Sequence, residues 1–228
     1  MPRPDRFQHP QLPADHYLRF YIHQNLGNPP RWTFPNHLTG NGLRCERLDI
    51  SNYDDLWPLF AEDPSPFIDD RFRSRRSMYE YTLHTRACMP FSGKRGGTDW
   101  LIIDTPGENT AYKAYEGWND MGGLHLEENE RLLGILHLYY LSMERFDDYR
   151  PRPFVGLQLI TEAHGTGRAA TALSLLERHV RETYDYPGVT AHIKSANGRS
   201  LAFFRKMGYV DTRDYDADAK EVFLVKDF

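Results

Sequence analysis

The sequence predicts a mixed α/β (α+β) domain whose sheet is mostly antiparallel, with helices on both faces and one parallel β-α-β unit. That unit is the strongest signal. A short apolar run over Phe154–Thr161 leads into a glycine turn, and apolar residues then recur at helical spacing to about Tyr184. A second strand, Val189–Lys194, follows Pro187-Gly188. Two strands joined by one helix form a right-handed crossover, so we expect them to be parallel.

The other strands are predicted from alternation and from turn residues. Leu132–Ser142 carries apolar residues on both faces, which is typical of a central strand, and Phe154–Thr161 is expected to be its antiparallel neighbour. Further strands are predicted at Leu43–Ile50 and Trp100–Asp104, followed by a C-terminal hairpin of residues 209–212 and 221–226. Helices are expected at about residues 52–60, 68–87 and 197–207, with a loop at 90–97 and a long polar connection at 105–129.

Composition predicts one domain with an appended arm. Residues 1–40 are rich in proline, which disfavours long regular structure, so we expect an N-terminal arm there and a single domain over 41–228. The formal net charge is −4, which argues against a nucleic-acid-binding protein. No apolar run is long enough to cross a membrane. The absence of a signal-peptide pattern, and two cysteines without motif spacing (Cys45 and Cys88), predict a cytoplasmic protein.

The glycine turn predicts an anion site. Gly165 and Gly167 lie where the strand leads into the helix, and a helix start presents free backbone N–H groups and a positive dipole end. A phosphate or pyrophosphate suits such a turn. Two glycines alone are a weak signal, because turn glycines are more often purely structural. The nucleotide-triphosphatase and dinucleotide signatures are both missing.

A cluster of arginines crowds the start of the predicted helix over 68–87. They are Arg71, Arg73, Arg75 and Arg76. One interpretation is a solvated helix face. The other is contact with an acidic part of a substrate or with a cofactor phosphate.

Two segments resemble the GNAT family, the GCN5-related N-acetyltransferases. His164-Gly165-Thr166-Gly167-Arg168-Ala169 resembles the family's Q/R-x-x-G-x-G/A signature. Asn197 to Tyr209 resembles its N-x-x-[AS]-x-x-[LF]-[YF]-x-K-x-G-[FY] segment, and a predicted strand separates the two. The resemblance covers Arg131–Phe228 well. At Leu43–Ile50, L-R-C-E-R-L-D-I is similar to the opening of the ribosomal-protein N-terminal acetyltransferase branch.

The resemblance implies acetyl-CoA as cosubstrate. No metal is expected, because the histidines and cysteines lack the spacing of metal ligands. The strand before the turn would pair with the pantetheine arm, and the amides of the turn would hold the pyrophosphate. His164 stands where the family has Gln or Arg, and Arg168 either adds charge to the phosphates or is a solvent-facing helix residue. The residues assigned to the cosubstrate are Leu159, Ile160, Thr161, His164, Gly165, Thr166, Gly167, Arg168, Ala169, Asn197 and Phe204.

The implied chemistry is direct attack by an amine on the thioester. A base must take the amine's proton, and His137, mid-strand beside the expected thioester, is the first candidate, ahead of Glu144 and Glu162. A core histidine with a satisfied hydrogen bond is the alternative. A backbone N–H of Leu159 or Ile160 would stabilise the developing oxyanion. Many relatives place a tyrosine that acts as the acid at the position of Phe204, which has no proton to give. In the ribosomal-protein N-terminal acetyltransferase branch the proposed acid is a serine three residues after the asparagine, and Ser200 matches that position. The alternative is that Ser200 only makes a local hydrogen bond at the helix start.

These expectations converge on an N-acetyltransferase acting on a small primary amine or a protein N-terminus. Phe204 and the unidentified base motivate an alternative, a non-catalytic acyl-CoA-binding or regulatory module. A third hypothesis is an interaction protein in which the glycines only shape the turn. Many members of the family dimerise, and the sequence leaves a homodimer open.

Overall fold

A computed structural model of the chain describes residues 35, 37–49, 52–87, 95–105, 124, 126–141, 152–184, 186–216 and 220–228. The strands are β1 (His37–Gly40), β2 (Leu43–Arg47), β3 (Arg95–Asp104), β4 (Arg131–Leu141), β5 (Phe154–Leu159), β6 (Gly188–Lys194), β7 (Val210–Asp216) and β8 (Glu221–Asp227). The α-helices in this part of the chain are α1 (Tyr53–Ala61), α2 (Arg75–Ala87), α3 (Arg168–Thr183) and α4 (Gly198–Lys206). Two 3₁₀ turns lie at Asp70–Phe72 and Thr161–Ala163.

The strands form one sheet in the order β1-β2-β3-β4-β5-β6-β8-β7. Every neighbouring pair is antiparallel except β5 and β6, which are parallel and are joined by α3. The predicted fold class and its single β-α-β unit are therefore confirmed.

Helices cover both faces of the sheet, as two aspartates of β3 show. Asp104 pairs with Arg168 of α3, whereas Asp99 accepts a hydrogen bond from Tyr81 of α2. Successive side chains along a strand point to opposite faces, and these aspartates are an odd number of residues apart. The core therefore has two layers, one beneath α3 and one beneath α1 and α2.

The central strands are buried on both faces, as the sequence predicts for β4. Trp100, Leu101, Ile102 and Ile103 of β3 and Ile135 and Leu136 of β4 are fully buried. The apolar stripe of α3 buries Ala172, Leu173, Leu176 and Val180, the residues that helical spacing places on one face. α4 begins after Asn197 and ends before Gly208, whose φ of +90° is the left-handed conformation expected after a helix end.

Several boundaries differ from the sequence-based expectation. The helix expected from Ile68 begins only at Arg75, because Asp69 accepts the amide of Arg71 and starts a separate 3₁₀ turn. β3 begins at Arg95, where residues expected in a loop pair with β4. β1 forms from the last residues before 41 and pairs with β2 through a tight Asn41-Gly42 turn, where both residues have positive φ.

Some expectations fall on residues that the structure does not describe. These are residues 1–34 of the arm, Cys88, Glu144 and residues 106–123 of the long connection. None of the helices within the described ranges has the length and apolar character needed to cross a membrane.

Candidate functional site

The parallel strands β5 and β6 separate almost as soon as they meet. In the described chain their ladder contains one residue pair, Phe154 with Thr190. The amide of Thr190 also donates a hydrogen bond to the carbonyl of Pro153 at 2.9 Å. On its other side, β6 pairs with β8 along seven residues, from Gly188 to Lys194. A gap therefore opens between the C-terminal halves of β5 and β6, leading to the turn before α3.

The turn between β5 and α3 presents a run of unbonded backbone amides. Within the described ranges, no hydrogen bond is donated by the amides of Gly165, Thr166, Gly167, Ala169 and Ala170. The Arg168 amide reaches only the Thr166 hydroxyl, at 3.5 Å. The N-cap residue of α3 is Gly167, which provides no side-chain cap. A helix start of this kind binds an anion well, because its free N–H groups and its dipole both favour negative charge.

Backbone conformation, rather than crowding, requires the two turn glycines. Gly165 and Gly167 have φ of +78° and +83°, a region that other residues rarely adopt. A Cβ built at either position would meet no atom within 4 Å. The space above the turn is therefore open to a ligand.

Three amides at the end of β5 were expected to face the cosubstrate, and the structure separates them. The Ile160 amide donates to the Leu133 carbonyl at 2.9 Å, and the Thr161 amide donates to Asp63 at 2.8 Å. Hydrogen-bonded and non-bonded pairs alternate in an antiparallel ladder, so the Leu159 amide points away from β4 and towards the gap. Leu159 is therefore the better placed of the two candidate oxyanion donors.

The side chains at the turn are occupied by protein partners. Arg168 pairs with Asp104 at 2.7 Å and donates to the Asn41 carbonyl at 3.3 Å, so its guanidinium ties α3 to the β1–β2 hairpin. His164 Nδ1 lies 2.5 Å from the guanidinium of the exposed Arg199. The phosphate contacts predicted for His164 and Arg168 therefore depend on their backbones in this conformation.

The start of α4 carries the other predicted residues. Asn197 Oδ1 accepts the Ser200 amide at 3.1 Å and so caps the helix. The Ser200 hydroxyl has no hydrogen bond within the described residues and is half-buried. Phe204 is buried and packs edge-on against Tyr209, with ring centroids 4.9 Å apart. Phe204 thus belongs to the core, and no hydroxyl comes from that position.

His137 lies in a buried polar cluster, and it is the one member of the cluster that the sequence predicts as a site residue. Its Nδ1 is 2.7 Å from Oδ1 of Asp99, the residue paired with it across β3 and β4. The hydroxyls of Tyr139 and Tyr81 donate to the same carboxylate at 2.5 and 2.7 Å. Nε2 of His137 is buried and has no hydrogen-bond partner within the described residues. The one available signal is Asp99 itself, a charge at the edge of an apolar run.

The four clustered arginines have protein partners. Arg71 pairs with Asp69, Arg75 binds both oxygens of Asp54, and Arg76 pairs with Glu80. Arg73 donates to the carbonyls of Phe60, Asp63 and Ser65 and so holds the end of α1. These contacts favour a structural role for the cluster. The described residues also contain no group of three or more His, Cys, Asp or Glu side chains that could hold a metal ion.

Comparison with solved structures shows the GNAT acetyltransferase fold. An acetyltransferase from Agrobacterium tumefaciens is similar at a TM-score of 0.55 and 16% identity, over 89% of this chain and 100% of that one. The ribosomal L7/L12 α-N-protein acetyltransferase RimL, in complex with coenzyme A, is similar at 0.55 and 15%, over 84% and 98%. A spermidine N-acetyltransferase SpeG chimera from Vibrio cholerae and hSSAT gives 0.52 and 12%, over 81% and 94%. No family model and no curated protein matches the sequence.

Proposed function

We propose that the protein is an acetyl-CoA-dependent N-acetyltransferase, which passes the acetyl group to a primary amine by direct attack. The proposal is carried by the amides of Gly165, Thr166, Gly167, Ala169 and Ala170, which donate no hydrogen bond within the described residues and lie at the end of the gap between β5 and β6. An extended thioester carrier ending in phosphates fits this arrangement, because the gap offers strand edges and the turn offers amide donors.

We assign a role in this reaction to each group of candidate residues. The turn amides hold the pyrophosphate, and the strand edge at Leu159 to Thr161 lines the pantetheine arm, with Asn197 and Phe204 bordering it from α4. The Leu159 amide faces the charge that develops on the thioester oxygen. His137 Nε2 takes the amine's proton, and the Ser200 hydroxyl donates to the departing sulfur. Glu162 is exposed on the 3₁₀ turn and is the weaker base.

The acceptor is proposed at the level of a small amine or a protein N-terminus. Two structural neighbours carry names of both kinds, an α-N-protein acetyltransferase and a spermidine acetyltransferase. The match of Ser200 to the ribosomal N-terminal acetyltransferase pattern favours that branch. A homodimer is compatible with either acceptor.

Calorimetric titration with acetyl-CoA tests the proposal, with a pair of glycine variants as matched probes. Gly167→Ala puts a methyl group into the open space above the turn and strains a φ of +83°. We expect its acetyl-CoA affinity to fall about tenfold or more, which corresponds to about 1.4 kcal/mol. Gly198→Ala, at the first residue of α4, also meets no atom and should bind as the wild type does.

Two results would count against the proposal. One is the absence of binding heat with the wild-type protein at millimolar acetyl-CoA. The other is unchanged affinity in Gly167→Ala. Binding without turnover over a broad panel of amines would instead support the non-catalytic acyl-CoA-binding module.

A further inference from the structure

A buried carboxylate lies directly behind His137. Asp99 is fully buried, and its Oδ1 is 2.7 Å from His137 Nδ1. Hydrogen bonds must satisfy a carboxylate removed from water, and here the hydroxyls of Tyr81 and Tyr139 donate to it. Three side chains from α2 and β4 therefore hold Asp99 in one orientation.

This pattern decides which ring nitrogen of His137 carries the proton. An ionised carboxylate only accepts hydrogen bonds, so Nδ1 is the donor and the neutral ring keeps its lone pair on Nε2. Burial raises the pKa of Tyr81 and of Tyr139 well above the ordinary tyrosine value, so both hydroxyls keep their protons and remain donors. His137 is itself about nine-tenths buried, and its Nε2 has no partner within the described residues.

One edge of the ring faces a residue that has no side chain. Phe72 stacks on the imidazole, with centroids 5.9 Å apart and planes at 15°. Across the sheet the paired residue is Gly156, and a Cβ there would lie 3.6 Å from Cδ2, the carbon bonded to Nε2. Because Gly156 has no side chain, the β5 side of this ring edge is not filled by its cross-strand neighbour. β5 is also the strand that borders the proposed thioester gap.

We propose that Asp99 is a positioning residue for His137, and that the two form a proton-accepting dyad. This inference rests on the acetyl transfer proposed above. His137 Nε2 takes one proton from the amine as the new bond from nitrogen to the acetyl carbon forms and the bond from that carbon to sulfur breaks. The electron pair of the broken bond leaves with the sulfur, which takes a proton from Ser200 or water. Asp99 stabilises the imidazolium, and the two tyrosines hold Asp99 in place.

Nuclear magnetic resonance tests the dyad without any substrate. Long-range proton–nitrogen correlation spectra of protein labelled at its histidine nitrogens report the tautomer of each ring, and His137→Gln identifies the signals of His137. We expect Nδ1 of His137 to be protonated and Nε2 to be bare at mildly alkaline pH. A proton on Nε2 instead would overturn the dyad, whether or not the protein transfers acetyl groups.

Kinetics then measures the contribution of Asp99 against a matched control. Asp99→Asn should lower kcat about 10- to 100-fold while acetyl-CoA affinity stays within about twofold of wild type. Glu177→Gln removes another buried carboxylate that accepts a tyrosine hydroxyl, and should leave kcat unchanged. If Asp99→Asn fails to fold, Tyr81→Phe serves with Tyr209→Phe as its control, and about a 3- to 10-fold loss is expected only in the former.

The outcomes separate the two proposals. Full activity in folded Asp99→Asn, or in Tyr81→Phe where that variant replaces it, overturns the dyad and leaves the acetyltransferase assignment standing. A wild-type protein that transfers no acetyl group to any amine overturns both.

Discussion

Two buried carboxylates, Asp99 and Glu177, have similar surroundings but their networks end differently. Each accepts a hydrogen bond from a tyrosine hydroxyl, at 2.7 Å for Asp99 and 2.8 Å for Glu177. The network of Glu177 is closed by Lys226, whose Nζ lies 2.6 Å from the carboxylate. The network of Asp99 continues to His137 and stops at a nitrogen without a partner in the described chain.

The same contrast separates the two helices that flank β6. Asn197 caps the first turn of α4, whereas the N-cap residue of α3 is Gly167, which provides no side-chain cap. A buried polar atom or a helix start without hydrogen-bond partners costs free energy. Proteins retain such unpaired groups where a ligand or a reacting group supplies the missing hydrogen bond. The satisfied networks hold the fold together, and the open ones mark where chemistry is expected.

The largest expected effect, on kcat, comes from removing His137, whose Nε2 has no partner at the end of the Asp99 network in the described chain. His137→Ala should lower kcat at least about 100-fold, since general-base catalysis contributes on that scale, while acetyl-CoA affinity is retained. Added imidazole should restore part of the activity by entering the vacated space. His179→Ala, a histidine on α3 that contacts Tyr184, is the matched control and should keep full activity. Steady-state kinetics with calorimetry checks both variants. Equal kcat in His137→Ala and wild type would show that the open nitrogen has no part in proton transfer.

Breaking the closed network should instead affect stability. Lys226→Met leaves Glu177 buried with only the Tyr209 hydroxyl. We expect a loss of about 2 kcal/mol in the free energy of unfolding, below the value for a fully buried pair because Lys226 is a quarter exposed. Urea denaturation measures this loss. The double variant Glu177→Gln/Lys226→Met should recover part of it, because no unpaired charge remains. A large drop in kcat for either variant would remove the contrast between the two networks.

The β-α-β unit could be predicted because its signals are local. Alternation in β5, helical spacing in α3 and the glycine turn between them are each visible within a few residues, and the structure confirms them. The crossover rule then gave the parallel pairing of β5 and β6. The gap beyond Phe154 could be anticipated only through the family resemblance, since no local pattern marks where two strands diverge.

The partnership of Asp99 and His137 could not be predicted in this way. The two residues are 38 positions apart, and they meet because β3 and β4 keep one register from Arg95 to Ile102, ahead of a register shift between Ile102 and Ile103. A one-residue shift would have turned one of them to the other face. Tyr81 comes from α2, whose first residue was itself expected seven positions too early.

The β1–β2 hairpin was missed although a signal for it was present. Asn41-Gly42 is the dipeptide that a tight hairpin turn favours, because both residues must take positive φ. Alternation predicted β2 but not β1, which is only four residues long and follows a proline-rich segment. The hairpin also provides the Asn41 carbonyl that receives Arg168, which sets the position of the α3 start.

A smaller effect is expected at Asp63, whose carboxylate accepts a hydrogen bond from the Thr161 amide just before the glycine turn. Asp63 accepts hydrogen bonds from the amides of Thr161 and Ser65. Burial acts to raise the pKa of Asp63, but these hydrogen bonds outweigh it, so the pKa lies below the ordinary value of 3.8. The unfolded chain then takes up the proton at higher pH than the folded one. The stabilisation is present above the ordinary value and is lost as the pH falls through the lowered pKa.

Asp63→Asn should therefore cost about 1–2 kcal/mol at neutral pH and flatten the acid limb of the stability curve. Denaturation midpoints measured from neutral to acidic pH check this expectation. Asp211→Asn is the control, because Asp211 also has a lowered pKa but pairs with Arg205 on the exposed surface, where solvent screens the pair. Parallel acid limbs for wild type and Asp63→Asn would contradict a lowered pKa for Asp63 in the folded protein.

The smallest effect separates the two roles of Asn197. Asn197→Ser keeps a side-chain oxygen that can cap α4, so the free energy of unfolding should change by less than about 0.5 kcal/mol. The variant loses the amide NH₂ group, which is the donor expected to face the pantetheine arm, so acetyl-CoA affinity should fall about fivefold. Asn197→Ala loses both roles and should also be destabilised by about 1 kcal/mol. If Asn197→Ser binds acetyl-CoA as tightly as wild type, Asn197 serves only as the cap of α4. The start of α4 then has a structural role and no part in binding the cosubstrate.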